Sequence, residues 1–413
     1  MTAPIESTTW FNDARFGIFV HWGLYSAHGR DVWSMFNEQT PPEEYRTLAD
    51  EFTAARFDAD EWAALAKAAG ARYMVMCTRQ HDGFSLFDSA VSEFTSVKTA
   101  ARRDFVAEYA DAARRAGLGV GFYYSLLDWR YPAYFSGPQR DPQGWQDLVS
   151  YVHAQVEELC TQYGRVDVLW YDGDFPYRGE DWRAQELNAA VRAWQPGILL
   201  NERSGAPGDF VTPEQHIPTL TSGGPWEACM TMNDHWGFCP GDENWKPTAQ
   251  LVANLVQCAS GGGNFLLNVG PDADGAIPPA SVARLRELGA WLEANGEAVY
   301  GTDAASGLCR RNDVSAVGPW LLSPVGMVQT LPTVRGSTLY THVRAWPGTE
   351  LTIGNLASRV VAARFLDGGA PIDFRQEGSR VKLSGLPERA PDPLDTVIAL
   401  ECDGVPTSVD RFA

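Results

Sequence analysis

The chain has 413 residues and a formal net charge of −19, from 33 lysine and arginine residues against 52 aspartate and glutamate residues. Its length exceeds what one domain usually holds, so we expect two domains. The negative charge and the lack of basic clusters argue against a nucleic-acid partner and an anionic membrane surface. Residues 1–11 lack the apolar segment of a signal peptide, and no run approaches about 18 apolar residues, so we expect a soluble, cytoplasmic protein.

Helical and extended patterns alternate along the first half of the chain. The apolar segment 16–20 predicts a first strand. An amphipathic helix at 60–69 then precedes a strand at 73–77, and a second helix at 104–116 precedes a strand at 120–124. A glycine follows each helix directly, as expected where helices end. These repeated units predict a parallel α/β sheet, and a (β/α) barrel is the most economical arrangement.

The next unit contains the most informative segment of the chain. A helix whose apolar residues recur at helical spacing from Trp145 to Cys160 precedes the strand 166–173. This strand stops on a tryptophan, a tyrosine, Asp172 and a glycine. A carboxylate at the carboxyl end of a buried parallel strand projects into the mouth of a barrel, where catalytic residues lie. The alternative is that Asp172 only caps the following helix.

Metal and cofactor signatures are missing from the sequence. The seven histidines have no metal-ligand spacing. The glycine run 261–263 precedes an apolar segment instead of following a strand, and no P-loop is present, so we predict no cofactor and no metal. The cysteines are odd in number and form no CxxC pair, which indicates buried thiols in a reducing compartment. They are Cys77, Cys160, Cys229, Cys239, Cys258, Cys309 and Cys402.

Many of the 15 tryptophans lie at predicted strand ends beside polar residues, as at 21–22, 128–129 and 235–236. Aromatic faces flanked by hydrogen-bonding groups suit a sugar, because its C–H patches stack and its hydroxyls bond. For any single tryptophan, a position in the core is the alternative.

The pattern of residue types changes after about residue 305. Proline and glycine separate short β-rich runs, such as 337–343 and 397–400, which predicts a small antiparallel β-sandwich. We therefore predict a catalytic (β/α) barrel domain at 1–305 and a β-sandwich domain at 306–413.

Five segments together carry a resemblance to a known family. They are 14–26 (ARFGIFVHWGLYS), 78–84 (TRQHDGF), 123–129 (YYSLLDW), 169–173 (LWYDG) and 262–270 (GGNFLLNVG). In order and spacing they resemble the α-L-fucosidases of glycoside hydrolase family 29. The resemblance implies a TIM-like barrel, often imperfect, followed by a small β-sandwich. It also implies a retaining hydrolysis that releases L-fucose from fucosylated oligosaccharides or glycoconjugates.

A retaining glycosidase needs a nucleophilic carboxylate and a second carboxyl group about 5 Å away as acid/base. Asp172 resembles the family nucleophile. The candidates for the acid/base follow a strand predicted at 198–203 and are Asp209, Glu214, Glu227 and Glu243. Glu214 resembles the acid/base of the family, and Glu227 is the alternative because its Trp-Glu pair also recurs there.

The resemblance assigns substrate-binding roles to further residues, and Trp33, Gln80 and Glu227 are expected among them. His21 and His81 resemble residues that hydrogen-bond the fucose hydroxyls. Tyr124 resembles a residue near the nucleophile, with Tyr123 as the alternative, and Arg203 resembles an anchor beside the acid/base.

Two tryptophans match aromatic positions of the family pocket. Trp170 and Trp236 correspond to residues around the C5 methyl of the sugar. That methyl distinguishes fucose from galactose-like sugars, and an aromatic pocket gains about 1 to 2 kcal/mol by covering it.

The sequence departs from the family pattern at two positions that contact ring hydroxyls. Val32 precedes Trp33 where the family commonly has glutamate, and Gln80 precedes His81 where it commonly has a second histidine. Asp31 is a candidate to replace the missing glutamate. Gln80 still donates and accepts hydrogen bonds but cannot titrate.

Two hypotheses of function remain. The first is a retaining exo-α-L-fucosidase, of which a transfucosidase that uses the same site is a variant. The second, suggested by the departures at Val32 and Gln80, is a catalytically weak fucose-binding protein on the same scaffold. Intact Asp172 and Glu214 favour an enzyme, whereas the preferred linkage and the oligomeric state have no signal in the sequence.

Overall fold

The computed structural model describes residues 5–218, 224–305, 308 and 330–409. Within this part, the chain up to residue 298 alternates between helices and seven parallel strands. The strands are β1 (Phe16–Val20), β2 (Tyr73–Arg79), β3 (Gly119–Ser125), β4 (Val168–Asp172), β5 (Leu199–Leu200), β6 (Glu227–Thr231) and β7 (Asn264–Val269). The α-helices are α1 (Ile5–Ala14), α2 (Leu24–His28), α3 (Ser34–Asn37), α4 (Pro42–Tyr45), α5 (Ala59–Ala68), α6 (Phe105–Arg115), α7 (Pro132–Ser136), α8 (Pro142–Gln162), α9 (Ala184–Trp194), α10 (Thr248–Ser260) and α11 (Pro279–Asn295). Short 3-10 helices cover Arg46–Asp50 and Gly296–Ala298.

Local capping explains where the repeated helices begin and end. Asp58 precedes α5 and Asp104 precedes α6, and each carboxylate accepts hydrogen bonds from backbone amides of the first turn. Gly70 (φ 88°) and Gly117 (φ 73°) then take left-handed conformations after these helices. The helices and strands predicted for these units are confirmed, with ends that differ by one or two residues.

The seven strands form one curled parallel sheet in the order β5-β4-β3-β2-β1-β7-β6. Segment 209–215 lies between the two edge strands and pairs with both sides through isolated bridges. Phe210 pairs with Asn201 after β5, and Val211 pairs with Trp226 before β6. The sheet is therefore a curled half-barrel whose open side is spanned by an irregular segment.

The strand predicted at 198–203 is wrong in length, because β5 contains only Leu199 and Leu200. After β5, hydrogen bonds from the Asn201 side chain take the place of backbone hydrogen bonds between neighbouring strands. Nδ2 of Asn201 donates to the Tyr171 carbonyl at 2.9 Å, and Oδ1 accepts from the Tyr171 amide at 2.8 Å. The chain leaves the sheet at this point, which brings Arg203 to the mouth of the half-barrel.

Apolar side chains fill the interior of the curled sheet. Phe19, Tyr123 and Trp170, from β1, β3 and β4, belong to this buried cluster. The ring centroids of Phe19 and Trp170 lie 5.2 Å apart, and those of Tyr123 and Trp170 lie 5.8 Å apart. The floor of the mouth is therefore part of the hydrophobic core, which holds these rings in fixed orientations.

Residues 330–409 form two antiparallel sheets, ordered β10-β13-β12 and β11-β14-β9-β8. The strands are β8 (Thr330–Arg335), β9 (Thr338–Val343), β10 (Glu350–Ile353), β11 (Val360–Phe365), β12 (Asp373–Glu377), β13 (Arg380–Ser384) and β14 (Thr396–Cys402). Side chains of both sheets share one hydrophobic cluster, which includes Leu351, Leu383 and Leu400. The β-runs predicted at 337–343 and 397–400 are confirmed as β9 and β14. Residues 306–307 and 309–329, beside the predicted boundary and including Cys309, lie outside the described residues.

Buried polar contacts join the C-terminal sheets to the half-barrel. His342 Nδ1 and Asp395 Oδ2 lie 2.7 Å apart, and the Asp395 carbonyl accepts a hydrogen bond from Nε1 of Trp291 in α11 at 2.9 Å. The Thr333 hydroxyl donates to the Ala298 carbonyl at 2.6 Å. Because these groups are buried and paired, the two parts pack as a continuous structure.

Two further observations concern the described residues as a whole. None of their helices is both long enough and apolar enough to span a membrane. Their cysteines carry free thiols, and all of these except the partly exposed Cys239 are buried.

Candidate active site

A pocket opens at the mouth of the half-barrel, where the carboxyl ends of β1 to β4 and β6 and the loops that follow the strands meet. Its lining contains every predicted site residue except Tyr124 and Glu227. The lining residues are Phe19, His21, Val32, Trp33, Gln80, His81, Tyr123, Trp170, Asp172, Phe175, Arg203, Glu214, Cys229 and Trp236.

Asp172 is the last residue of β4, and Gly173 turns the chain away at a φ of 77°. Its Oδ2 accepts a hydrogen bond from the Tyr123 hydroxyl at 2.9 Å, and its Oδ1 lies 3.3 Å from Nη1 of Arg203. Burial raises the pKa of this carboxyl, but the charge of Arg203 and the Tyr123 hydrogen bond outweigh burial and hold the pKa below its ordinary value. Asp172 is therefore held ionised, which is the form that can act as a nucleophile.

The alternative role of Asp172 as a helix cap is wrong. The next helix, α9, begins at Ala184, and its N-cap residue is Arg183. Asp172 lies far upstream of this helix start and directs its carboxylate into the pocket instead.

Arg203 connects the two predicted catalytic carboxyl groups. Its Nη1 lies 3.3 Å from Asp172 Oδ1 and 2.9 Å from Glu214 Oε2, so these two oxygen atoms are separated by no more than the sum of those distances. One guanidinium nitrogen therefore contacts both carboxylates. This arrangement is compatible with the close pair of a retaining glycosidase, whose carboxyl groups lie about 5 Å apart.

The guanidinium of Arg203 is itself held in place from two sides. Its Nε donates to Oγ1 of Thr212 at 2.8 Å, and its Nη2 donates to the Thr212 carbonyl at 3.0 Å. The face of the guanidinium lies over Trp170, 4.6 Å from the ring centroid. Segment 209–215 thus supplies both Glu214 and the support that orients Arg203.

His21 and His81 present their Nε2 atoms to the pocket as acceptors. His21 Nδ1 lies 2.7 Å from Asn268 Oδ1, and Nδ2 of Asn268 donates to the Trp236 carbonyl. His81 Nδ1 lies 2.7 Å from the Ser125 hydroxyl, which donates onward to the Leu127 carbonyl. In both histidines the proton therefore belongs on Nδ1. Burial lowers the pKa of each histidine to about 4, so both rings are neutral near pH 7.

Tyr123, and not the predicted Tyr124, reaches the pocket. The Tyr123 hydroxyl lies 2.7 Å from Gln80 Oε1 and 2.9 Å from Asp172 Oδ2. Tyr124 points to the opposite face of β3, where its hydroxyl donates to Gln155 Oε1 at 3.0 Å. The correction follows from the alternation of side chains along a strand, since neighbours in sequence face opposite sides.

Gln80 fills the position where the family commonly has a histidine. Its Oε1 accepts a hydrogen bond from the His81 amide at 2.9 Å, besides lying close to the Tyr123 hydroxyl. Gln80 therefore lines the pocket as predicted and connects His81 to the phenol beside Asp172.

Glu227 lies beneath the pocket and not in it, which corrects its predicted place among the substrate-binding residues. It begins β6, at the end of the strand opposite the mouth. Its carboxylate accepts hydrogen bonds from the Tyr73 hydroxyl and, at 3.1 Å, from Nε1 of Trp170. Burial raises the pKa of Glu227 to about 7. A carboxyl group sealed beneath Trp170 has no path to a leaving group, so it is not the acid/base.

The remaining acid candidates also lie away from the pocket lining. The side chain of Asp209 is buried and accepts hydrogen bonds from Arg192 Nη2 at 2.7 Å and from the Leu200 amide at 2.9 Å. Glu243 is exposed and near the indole of Trp245. Among the four candidates, Glu214 alone belongs to the lining, and its side chain is 40% exposed.

Asp31 does not replace the missing glutamate of the family. Its Oδ1 accepts a hydrogen bond from the Gly237 amide at 2.8 Å, and the pocket is lined by Val32 instead. Asp31 therefore fixes the loop that follows β6, next to Trp236.

Aromatic rings form the walls of the pocket, as predicted for Trp33, Trp170 and Trp236. The Trp236 ring lies 5.0 Å from the His21 ring, and the Trp33 ring lies 5.4 Å from the His81 ring. Each histidine is thus paired with a tryptophan, which gives hydrogen-bonding and apolar surface side by side.

Sequence reasoning missed three lining residues, namely Phe19, Phe175 and Cys229, whereas the position of Val32 was identified as a departure from the family pattern. Phe175 had a usable signal, because it follows the end of β4 by only three positions. Cys229 is a buried thiol whose pKa burial raises well above its usual range. No group of three or more histidine, cysteine, aspartate or glutamate side chains in the described residues could hold a metal ion.

Comparisons with known proteins agree with this geometry. A family model described as α-L-fucosidase matches residues 2–297. The plasma α-L-fucosidase of Rattus norvegicus is 34% identical over 323 residues, which cover 71% of this chain and 70% of that protein. The plasma α-L-fucosidase of Homo sapiens is 30% identical and covers 91% of this chain and 86% of its own.

Solved structures extend the likeness over nearly the whole chain. The α-L-fucosidase isoenzyme 1 from Paenibacillus thiaminolyticus has a TM-score of 0.87 at 38% identity and covers 96% of this chain and 99% of its own. A family 29 α-L-fucosidase from Bacteroides thetaiotaomicron, described as a trapped covalent intermediate with 2-fluoro-fucosyl fluoride, has a TM-score of 0.87 at 26% identity and covers 98% of this chain and 97% of its own. The matched motifs, the fold and the paired carboxyl groups agree, and the chain belongs to the α-L-fucosidase family, family 29 of the glycoside hydrolases.

Proposed function

We propose that this protein is a retaining exo-α-L-fucosidase that releases terminal L-fucose from fucosylated oligosaccharides or glycoconjugates. The observation that carries the proposal is the contact of one guanidinium nitrogen of Arg203 with both Asp172 and Glu214. Two carboxyl groups about 5 Å apart are what a double-displacement reaction at an anomeric carbon requires. The relative from Bacteroides thetaiotaomicron, whose description reports a covalent intermediate, supports the same class of mechanism.

Asp172 attacks the anomeric carbon and forms a glycosyl-enzyme bond, while Glu214 donates a proton to the departing oxygen. Glu214 then removes a proton from water, which attacks the same carbon and releases fucose with its original anomeric configuration. Burial separates the two roles, because Asp172 is largely enclosed whereas the side chain of Glu214 is 40% exposed and faces the arriving water.

The floor and walls of the pocket account for recognition of the sugar. The unprotonated Nε2 atoms of His21 and His81 accept hydrogen bonds from two ring hydroxyls. Trp170 and Trp236 cover the C5 methyl, and Trp33 stands beside His81 on the other wall. A pocket of this kind, lined by aromatic rings and hydrogen-bonding groups, fits a terminal sugar, which is the basis for proposing exo action.

The presence of two carboxyl groups in the lining favours an enzyme over a catalytically weak fucose-binding protein. The losses at Val32 and Gln80 do not remove the pocket, since Gln80 remains hydrogen-bonded to His81 and close to Tyr123. A transfucosidase would use the same intermediate, with a sugar hydroxyl in place of water as the acceptor.

The test is substitution of the nucleophile together with a matched control. Asp172→Gly is expected to lower turnover of an aryl α-L-fucoside by more than about 1,000-fold, or about 4 kcal/mol, without unfolding the protein. Azide should restore part of the rate by occupying the vacated space and forming a β-fucosyl azide. Asp174→Ala, which removes a nearby carboxylate outside the lining, should keep most of the activity.

Two outcomes would contradict the proposal. One is an Asp172→Gly variant that retains more than about a tenth of wild-type turnover. The other is release of β-L-fucose as the first product of the wild-type enzyme, followed by proton NMR before mutarotation, because a retaining enzyme must first release the α anomer.

We also propose the finer organisation of the chain as an incomplete TIM-like barrel at 1–305 braced by a β-sandwich at 306–413. The buried contact between Asp395 and Trp291 supports the bracing role. A cytoplasmic location stays a prediction, and fractionation of the native host is the measurement that checks it.

A further inference from the structure

Glu214 lies on an irregular segment instead of a strand, and its side chain is 40% exposed. Within the described part of the chain, its carboxylate has one ionic partner, Nη1 of Arg203, at 2.9 Å. A general acid must lie within hydrogen-bond reach of the departing oxygen atom. Because little packing holds this side chain, the backbone around Glu214 must determine where the carboxyl group lies.

Hydrogen bonds to Cys229 of β6 fix the backbone on both sides of Glu214. The Cys229 amide donates to the Pro213 carbonyl at 3.1 Å, and the Gln215 amide donates to the Cys229 carbonyl at 2.9 Å. Residues 216–218 make no further backbone hydrogen bond to β6. Gln215 therefore ends the paired part of the segment, directly after Glu214.

The backbone of Gln215 has a left-handed conformation, with a φ of 56°. Residues other than glycine rarely adopt this conformation, because their Cβ atom is crowded there, whereas glycine adopts it freely. Gln215 is also exposed, so the burial of apolar surface does not offset the strain. A glutamine at this position therefore indicates that its side chain has a role.

The side-chain amide of Gln215 makes a two-point contact with Thr231. Its Nε2 donates to Thr231 Oγ1 at 3.1 Å, and its Oε1 accepts from the Thr231 amide at 3.3 Å. Thr231 is the last residue of β6 and lies two positions after Cys229. The amide thus extends the contact with β6 beyond the point where backbone pairing ends.

The contacts of Thr231 explain why an amide is needed. The Thr231 hydroxyl lies 2.6 Å from the Asn233 carbonyl and donates its proton there, so it can only accept from Gln215. Nζ of Lys246 donates to the same carbonyl at 2.6 Å and lies 3.3 Å from Thr231 Oγ1. The partner of Thr231 must therefore offer one donor and one acceptor, which an amide has and a carboxylate lacks.

We propose that Gln215 is a positioning residue for acid/base catalysis, whose left-handed backbone and amide contact with Thr231 hold the Glu214 carboxyl group beside Arg203. The inference rests on the proposed fucosidase activity and on the acid/base role of Glu214. Gln215 does not belong to the pocket lining, so it acts through Glu214 and not on the sugar. The backbone hydrogen bonds to Cys229 do not depend on the Gln215 side chain, so its removal should displace the carboxyl group without unfolding the protein.

The test uses Gln215→Met, which keeps the length of the side chain but removes both hydrogen bonds, and Gln215→Gly, which also removes the backbone strain. On a fucosyl disaccharide, whose departing oxygen needs a proton, kcat/KM should fall about 10- to 100-fold for both variants. On 2-chloro-4-nitrophenyl α-L-fucoside, kcat/KM should stay within about twofold of the wild-type value, because this phenolate leaves without a proton.

The second step of the reaction gives an independent signature. With the aryl fucoside, kcat and KM should fall together by about 10-fold, because the displaced Glu214 activates water poorly and the glycosyl-enzyme accumulates. Azide needs no base, so it should restore kcat. It forms a C–N bond as the ester bond to Asp172 breaks, which releases the carboxylate and yields α-L-fucosyl azide. A residue that only stabilised the fold would not produce this split between kcat and KM.

Gln39→Gly is the matched control. Gln39 is also an exposed glutamine with a left-handed backbone, at a φ of 54°, but its side chain makes no hydrogen bond to the described residues and lies outside the pocket lining. Its replacement relieves the same backbone strain and should leave kcat/KM unchanged on both substrates. Circular dichroism and thermal unfolding establish that all variants are folded.

Equal losses of kcat/KM on the disaccharide and the aryl fucoside, or an unchanged kcat/KM on the disaccharide, would overturn the positioning role of Gln215. Glu214→Ala, measured in parallel, separates this failure from that of the proposed function. If Glu214→Ala shows the dependence on the leaving group and the Gln215 variants do not, only the positioning role fails. If Glu214→Ala also shows none, Glu214 is not the acid/base, and the proposed mechanism fails together with the role of Gln215.

Discussion

Replacing the buried carboxyl group of Glu227 by an amide should change how the stability of the protein depends on pH. Glu227 is fully enclosed between Tyr73 and Trp170, and burial raises its pKa from an ordinary value of 4.5 to about 7. A carboxyl group whose pKa is raised by folding binds more protons in the folded than in the unfolded state between these two values. Its contribution to stability is therefore lost as the pH rises from about 4.5 to about 7.

The size of this change in stability follows from the shift in the pKa of Glu227. One pKa unit corresponds to about 1.4 kcal/mol, so ionising Glu227 in the folded protein costs about 3 kcal/mol at pH 8 relative to pH 4. Glu227→Gln keeps an acceptor for Trp170 Nε1 but never ionises. The wild type should therefore lose about 3 kcal/mol relative to this variant between pH 4 and pH 8.

The assay is urea unfolding followed by tryptophan fluorescence, with both proteins measured at several pH values. His21 and His81 also titrate in this range, since burial lowers the pKa of each to about 4, and their stability contribution rises with pH. Because both proteins contain these histidines, the difference between the two unfolding free energies removes their contribution.

Tyr73→Phe is a control that should change the pH dependence of stability in the opposite direction from Glu227→Gln. It removes a hydrogen bond that favours the ionised form of Glu227, so the pKa of Glu227 should rise further and the total loss of stability between pH 4 and pH 8 should exceed that of the wild type. If the difference between wild type and Glu227→Gln is the same at pH 4 and pH 8, the reasoning from burial is refuted.

Three predictions concern catalysis. Glu214→Ala should lower the rate on a fucosyl oligosaccharide by about 10² to 10⁴, but it should slow the first chemical step with an activated aryl fucoside much less. Rates measured on substrates with different leaving groups check this prediction, and equal losses on both kinds of substrate would contradict it. Trp236→Ala should weaken the preference for α-L-fucoside over α-L-galactoside, measured as the ratio of the two kcat/KM values, by about 10- to 200-fold. An unchanged ratio in a folded variant would show that Trp236 does not contact the C5 methyl. Tyr123→Phe should lower kcat by about 10- to 100-fold because Asp172 loses a hydrogen bond, while Tyr124→Phe should not, and the reverse result would show that the wrong tyrosine faces the site.

The order of helices and strands in the first half of the chain was predictable because it depends on local signals. Asp58 and Asp104 cap their helices, and Gly70 and Gly117 end them, as short-range patterns indicate. The irregular closure by segment 209–215 was not predictable. It depends on Asn201 pairing through its side chain with Tyr171, which is a contact between distant residues.

Motif resemblance located the pocket but did not assign every side chain to a face. Tyr123 and Tyr124 are identical in type and adjacent, so only the register of β3 against β4 decides which one meets Asp172. Glu227 has a plausible motif, yet it begins its strand, whereas Asp172 ends one. The position of a residue along its strand therefore predicts catalytic access better than its motif does, since the mouth lies at the carboxyl ends.

The single guanidinium shared by Asp172 and Glu214 suits the order of charges in a retaining mechanism. In the first step of the proposed mechanism Asp172 is ionised and Glu214 carries the proton, so Arg203 would stabilise the nucleophile. In the second step of that mechanism Asp172 would be esterified to the sugar and neutral, whereas Glu214 would be the ionised base. Nη1 of Arg203 reaches both oxygens from one position, at 3.3 and 2.9 Å. One cation can therefore balance whichever carboxyl group is ionised, and Thr212 and Trp170 hold it so that no rearrangement is needed between the steps.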